Sequence, residues 1–192
     1  MQGVALHHDH SRAMNPARNV SPSDLSAEGR QLLMAGSVLL DNTVLVNFAV
    51  AERPDLVLQT WPESVCTTPA VRDEYRRGVA NDVLPGSAWS QLPLCELTEE
   101  EVAFATNLSS RLGAGERTCL AVAHSRDGLF VSDDADARGE ARDRGLAVTG
   151  TLGILARAVD EDIISLREGN RLLARMIEAG YRSPVDRLDT LL

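Results

Sequence analysis

Four short runs, mostly apolar, limit what this chain can become: Val38-Leu39-Leu40, Ser64-Val65-Cys66-Thr67, Leu129-Phe130-Val131-Ser132 and Leu146-Ala147-Val148. The first is continuous and ends in Asp41, as a strand buried on both faces would. The others have strand length and composition, and the third also ends in acids, Asp133 and Asp134. A fifth segment, Leu92 to Leu97, predicts one more short strand. Between these runs the apolar residues change to helical spacing. Strands that alternate with helices imply a parallel sheet covered on both sides. The predicted fold class is α/β, a three-layer α/β/α sandwich with a central parallel sheet.

The helices are set by their end signals. One is predicted from Thr43 to Val50 and another from Pro54, a good first-turn residue, to Trp61. Pro69 opens a third, which Gly78 should close. Thr98-Glu99-Glu100-Glu101 reads as a capping box that starts a helix with Val102, Ala105, Leu108 and Leu112 on its inner face. Gly113-Ala114-Gly115 breaks that pattern, and a new helix is expected from about Glu116 to His124. A charged helix follows from Asp136, its expected cap, to Arg144. Thr151 is the expected cap of the next helix, with Leu152, Leu155 and Val159 inward. The last carries Leu172, Leu173, Met176 and Ile177.

The 192 residues suit one domain with a short extension. Residues 1–34 read as an unstructured extension, and residues 35–192 as the domain. The extension holds His7, His8, Asp9 and His10, a grouping that can bind a transition metal but is read here as a tail. Ordered patterning begins near Met34, which suggests an alternative start there.

Composition removes several classes of function. No apolar run approaches the ~18 residues of a membrane span, so no membrane partner is expected. Met1 to Ala17 has no secretory h-region, and the expected compartment is the cytoplasm. Aromatic residues make up only 4% of the chain, against a stacking platform for bases. Cys66, Cys95 and Cys119 match neither a zinc pattern nor a disulfide framework and read as reduced core thiols. The formal net charge of −9 is unusual for a simple nucleic-acid binder, which gains affinity by neutralising phosphates. Either nucleic acid is not the ligand, or metal ions and a basic partner offset the charge. All 19 basic residues other than histidine are Arg, with no Lys to pair the acids.

The acids carry the functional signal. Parallel sheets bind ligands outside the carboxyl ends of their strands. Asp41 and the Asp133-Asp134 pair both follow strands, so neighbouring strands would bring them to one rim. Two helical acids stand where an apolar residue would be expected. Glu116 shares a stripe with Leu120 and Ala123, and Glu74 follows Val71 on one face. An inward carboxylate is costly unless it is paired or binds metal. Clustered carboxylates raise one another's pKa, and a hard divalent cation such as Mg²⁺ or Mn²⁺ reverses that. Thr151 with its flanking glycines is a further candidate, as a phosphate site at a helix start, although capping fits it better.

Taken in order, these segments resemble the PIN domain family, the metal-dependent ribonuclease fold of the toxins in VapBC toxin–antitoxin pairs. The resemblance lies in Val38-Leu39-Leu40-Asp41-Asn42-Thr43, Val71-Arg72-Asp73-Glu74, Gly115-Glu116-Arg117-Thr118-Cys119-Leu120-Ala121-Val122-Ala123 and Val131-Ser132-Asp133-Asp134-Ala135-Asp136-Ala137-Arg138. With Gly150-Thr151-Leu152-Gly153-Ile154-Leu155, the chain is similar to a poorly characterised PIN-like branch. The resemblance implies that Asp41, Glu74, Glu116 and either Asp133 or Asp134 are catalytic and hold Mg²⁺ or Mn²⁺. It departs from the family at Glu116, where Asp is common, and at Ser132-Asp133-Asp134. The Ser-x-Asp frame there favours Asp134, while the strand end favours Asp133.

The function so implied is a metal-dependent endoribonuclease, the toxin of a type II pair, with RNA as substrate. Its partner would be an antitoxin with basic residues, and this family often forms homodimers. The alternative is a catalytically weak or inactive PIN-like nucleic-acid-binding or regulatory module. A haloacid dehalogenase-type phosphatase is rejected, because Thr43 stands where its second Asp would be required.

Overall fold

The structure is a computed structural model that describes residues 36–62, 64–81, 84–86 and 88–192. The expected 1–34 extension, with its histidine group and Met34, lies outside the described residues. The elements run β1 (Val38–Leu40), α1 (Asn42–Val50), α2 (Pro54–Thr60), β2 (Val65–Cys66), α3 (Pro69–Ala80) and α4 (Glu99–Thr106). They continue through α5 (Ala114–Ser125), β3 (Leu129–Val131), α6 (Ala135–Asp143), β4 (Ala147–Thr149), α7 (Thr151–Asp160) and α8 (Leu166–Glu178), to a 3-10 turn at Leu188–Thr190.

Among the described residues the sheet has four strands in the order β2-β1-β3-β4, every pair parallel. Every residue of the two central strands, β1 and β3, is buried, as their unbroken apolar runs require. Helices cover both faces of the sheet. On one side α3, α4 and α6 gather around α5, and on the other α2, α7 and α8 pack with α1. Phe48 and Phe130 are the largest fully buried side chains. Truncating Phe130 to Ala should cost roughly 3–5 kcal/mol.

The predicted three-layer α/β/α class is the one observed, and several local expectations are corrected. Gly78 does not close α3, which continues to Ala80. A Cβ at Gly78 would lie 2.6 Å from Leu84 Cδ1, so the glycine serves packing rather than termination. Leu92 to Leu97 is not a strand but makes one parallel bridge, Thr67 to Leu94. Pro93 has no N–H to extend the ladder there. Val102 faces out, 52% exposed, whereas Ala105, Leu108 and Leu112 are buried as expected.

Three helix starts also differ. Gly113 is the N-cap of α5, and Ala114 and Gly115 form its first turn rather than a break. Asp134, not Asp136, caps α6 by accepting from the Ala137 N–H at 2.8 Å. Gly150, not Thr151, is the N-cap of α7. The Thr98 capping box is present as predicted, with both reciprocal bonds to Glu101.

Candidate metal centre

Asp41 and the Asp133-Asp134 pair leave the sheet at the same edge, because β1 and β3 are adjacent, parallel and in register from Val38–Leu129 to Leu40–Val131. The Asp41 N–H continues the ladder to the Val131 carbonyl at 2.9 Å. The Asp41 carboxylate is 1% exposed, and its Oδ2 accepts from Ser132 Oγ at 2.8 Å and Thr43 Oγ1 at 2.9 Å. Burial pushes its pKa up, the two hydroxyl donors oppose the rise, and the charge of Glu74 adds to it.

Glu74 and Glu116 reach the site from α3 and α5, which pack closely at the start of α5. Gly115 is the point of closest approach. A Cβ there would lie 2.6 Å from Glu74 Oε2 and 2.8 Å from Val71 Cγ2. Its own N–H donates to Glu74 Oε1 at 2.9 Å, and the Gly113 N–H donates to Glu116 Oε2 at 2.7 Å. Both glutamates thus accept from first-turn donors that the helix itself cannot satisfy. Burial pushes Glu116 up to about 7, against the pull of the Gly113 N–H and with help from the charges of Asp41, Asp134 and Glu74.

The two neighbouring aspartates behave differently. Asp134 caps α6 through one oxygen, and its charge is felt at Glu116. Asp133 turns to the start of α7. Its carboxylate accepts from Thr151 N–H at 2.9 Å, Thr151 Oγ1 at 2.5 Å, Asn47 Nδ2 at 3.0 Å and Tyr181 OH at 3.3 Å. Gly150 makes room for this, since a Cβ there would lie 2.5 Å from Asp133 Oδ1. The first N–H of α7 is therefore taken by Asp133, which removes the phosphate reading of that glycine-flanked helix start.

Sequence reasoning found the acids but missed the groups that hold them: Thr43 and Ser132 at Asp41, and Asn47, Thr151 and Tyr181 at Asp133. One signal was visible. Asn47 sits in an otherwise apolar helix, one turn after Thr43, and a buried amide needs partners. No sequence pattern marks Tyr181.

The donor chemistry suits a hard divalent cation. Asp41, Glu74, Glu116 and Asp134 offer only oxygens, and among the described residues none of them forms an ion pair with an Arg. Arg72 and Arg117 are not their partners: Arg72 donates to the Leu92 carbonyl, and Arg117 Nε is buried without a partner. The pKa values of Asp41 and Glu116 are raised chiefly by burial and further by the charges of neighbouring acids, both of which a cation would offset. Among the described residues, no group of three or more His, Cys, Asp or Glu side chains stands close enough together to hold a metal ion as placed.

A parallel α/β domain with acids after β1 and β3 at its carboxyl edge, and a helix start whose first N–H is taken by Asp133, belongs to the class of acid-edged parallel α/β folds rather than to the phosphate-loop or dinucleotide folds. Residues 37–192 match the family profile of the PIN domain, and the chain belongs to that family. The fold is accordingly a nuclease-type fold, and divalent metal ions are the family's usual cofactors. No curated protein and no solved structure matches the chain significantly. No helix among the described residues is long and apolar enough to cross a membrane.

Proposed function

We propose that this chain is a metal-dependent endoribonuclease that hydrolyses RNA phosphodiester bonds, and that it is the toxin of a type II toxin–antitoxin pair acting in the cytoplasm. The observation that carries this reading is the approach of Asp41, Glu74, Glu116 and Asp134 from four elements to one sheet edge, with no ion pair to an Arg among the described residues. These four residues would hold Mg²⁺ or Mn²⁺. When bound, the ion supplies charge for the phosphodiester oxygens and lowers the pKa of the attacking water.

The chain's own groups prepare that site. Ser132 and Thr43 fix the Asp41 carboxylate through one oxygen and leave Oδ1 free of side-chain donors. The Gly115 and Gly113 N–H groups orient Glu74 and Glu116. Asp133, bound by Asn47, Thr151 and Tyr181, ties the end of β3 to α1, α7 and the C-terminal segment, and so sets the position of Asp134. A net charge of −9 favours an antitoxin with basic residues as partner, and an association of two copies accords with the family's habit.

Incubation with RNA and Mn²⁺, beside an Asp41→Asn control, tests the reading. The expected result is cleavage by the wild type and at least a ~100-fold loss in the variant, on the scale of losing transition-state charge stabilisation. Equal cleavage by both proteins would defeat it.

The second reading, a binding or regulatory module without catalysis, is favoured by the open spacing of the acids. Calorimetric titration separates the two. Such a module shows no Mn²⁺ binding that depends on Asp41, and the nuclease does.

A further inference from the structure

Cys66 and Cys95, read from the sequence as reduced core thiols, flank one pairing of the chain. Cys66 ends β2, and Cys95 follows the bridge that pairs Thr67 with Leu94. The Cys95 N–H donates to the Thr67 carbonyl at 2.7 Å. Side chains alternate along extended backbone. Cys66 precedes one bridged residue and Cys95 follows the other, so both thiols fall on the same side of the pairing. The bridge and the Cys95 N–H bond beside it therefore bring the two thiols to one patch of the sheet edge.

The surroundings of the two thiols differ. Cys66 is 6% exposed, whereas Cys95 is only partly buried. Arg126 brings Nη1 to 3.6 Å from Cys95 Sγ. That guanidinium is itself fixed, by Glu101 at 2.8 and 2.9 Å and by the Glu96 carbonyl at 2.9 Å. Cys119 is elsewhere, fully buried against the Leu40 carbonyl and Thr68.

We propose that Cys95 and Cys66 form a redox modification site, in which a peroxide oxidises Cys95 and Cys66 closes a disulfide with it. In the first step the Cys95 thiolate attacks one peroxide oxygen. The O–O bond breaks, sulfur loses two electrons to become a sulfenic acid, and hydroxide departs. In the second step the Cys66 sulfur attacks the sulfenic sulfur and the S–S bond forms. The S–O bond breaks, and the departing hydroxide takes the Cys66 proton as water. Two thiols and one peroxide give one disulfide and two waters.

The order follows from access and charge. A solute reaches Cys95 first, and a cation beside a thiol favours the reactive thiolate. The neighbouring Cys66 and the Arg126 charge hold Cys95 below the ordinary thiol range, against burial and the charge of Glu101. The Cys66 thiol is held above that range by its neighbour Cys95 and by burial, so Cys95 and not Cys66 is the first to meet the peroxide. Closure to an S–S length of about 2 Å would tether the segment around Leu94 to the sheet-edge strand β2. The proposal does not rest on the nuclease reading.

Treating the full folded chain with hydrogen peroxide and mapping its peptides without reductant tests the site. The expected product is a Cys66–Cys95 linked peptide, cleaved by dithiothreitol, with Cys119 still a thiol. In Cys66→Ser, Cys95 should be trapped by dimedone as sulfenic acid; in Cys95→Ser, Cys66 should stay reduced. Before oxidation, Cys95 should be alkylated at least ~10-fold faster than Cys66 at neutral pH. Peroxide that leaves both thiols of the wild type alkylatable, or that takes Cys95 to sulfinic acid with Cys66 free, overturns the proposal. The wild-type result decides the matter even if a serine variant fails to fold.

Discussion

Asp133 and Asp134 are chemically the same and adjacent, yet their neighbours give them opposite work. Asp133 accepts from Asn47, Thr151 and Tyr181, so its charge is spent on holding β3, α1, α7 and the C-terminal segment together. Asp134 has one helix-capping bond, and its charge bears on Glu116. Replacing each by Asn should therefore separate stability from metal binding. Asp134→Asn keeps a good cap, so its denaturant midpoint should hardly move while Mn²⁺ affinity falls at least ~10-fold. Asp133→Asn should keep most of the Mn²⁺ affinity and lose about 1.5–3 kcal/mol, the range for hydrogen bonds to a charged group. Calorimetry and urea melts on the two variants measure both quantities, and a reversed pattern would return Asp133 to the metal site. The sequence could not make this choice, because the partners of Asp133 lie far along the chain and no local spacing reports them.

At the scale of elements, what the sequence revealed depended on whether the deciding contact was local. β1 and β3 were legible as apolar runs that end in acids, and the Thr98 capping box was legible as a Thr followed three positions later by Glu101. Gly78 misled because a packing glycine and a terminating glycine look alike until Leu84 is placed. Gly115 was read as part of a break, yet it sits in the first turn of α5 where α3 comes nearest. Gly115→Ala should cost about 1–3 kcal/mol by overpacking, since the added Cβ meets both Val71 and Glu74. It should also displace Glu74 and weaken Mn²⁺ binding, which the same urea melts and titrations would reveal. The Glu101–Arg126 pair joins α4 to the end of α5 and gives a separate pH signature. Glu101 is held below the ordinary carboxylate range, chiefly by the Arg126 hydrogen bonds. Its contribution is present above the unfolded-state pKa and is lost as pH falls through the lower folded value. Glu101→Gln should thus be less stable than wild type at pH 7 and converge with it in acid, as thermal melts across pH would show.

For the whole molecule, the acid rim sets a conflict between folding and charge that a bound cation would resolve. Asp41 and Glu116 titrate above their unfolded values in the fold, Glu116 at about 7. A raised folded pKa favours the protonated folded state, so the rim's contribution is fully present below the unfolded pKa and is lost as pH rises through the folded one. In the absence of metal, the stability from this rim should therefore decline between about pH 4.5 and pH 7, opposite in sign to Glu101. A divalent ion held as proposed would bind the deprotonated carboxylates, so it should restore stability most at the upper end of that window. At a hundredfold excess over its dissociation constant, the gain is about 2.7 kcal/mol. Thermal melts in EDTA and in Mn²⁺ from pH 5 to pH 8 test this on wild type and Glu116→Gln. The metal-dependent gain should grow with pH in the wild type, and the variant should lose most of that growth. A midpoint indifferent to Mn²⁺ at every pH would mean that the acids at this sheet edge share no ion, and the net charge of −9 would then need a partner of another kind.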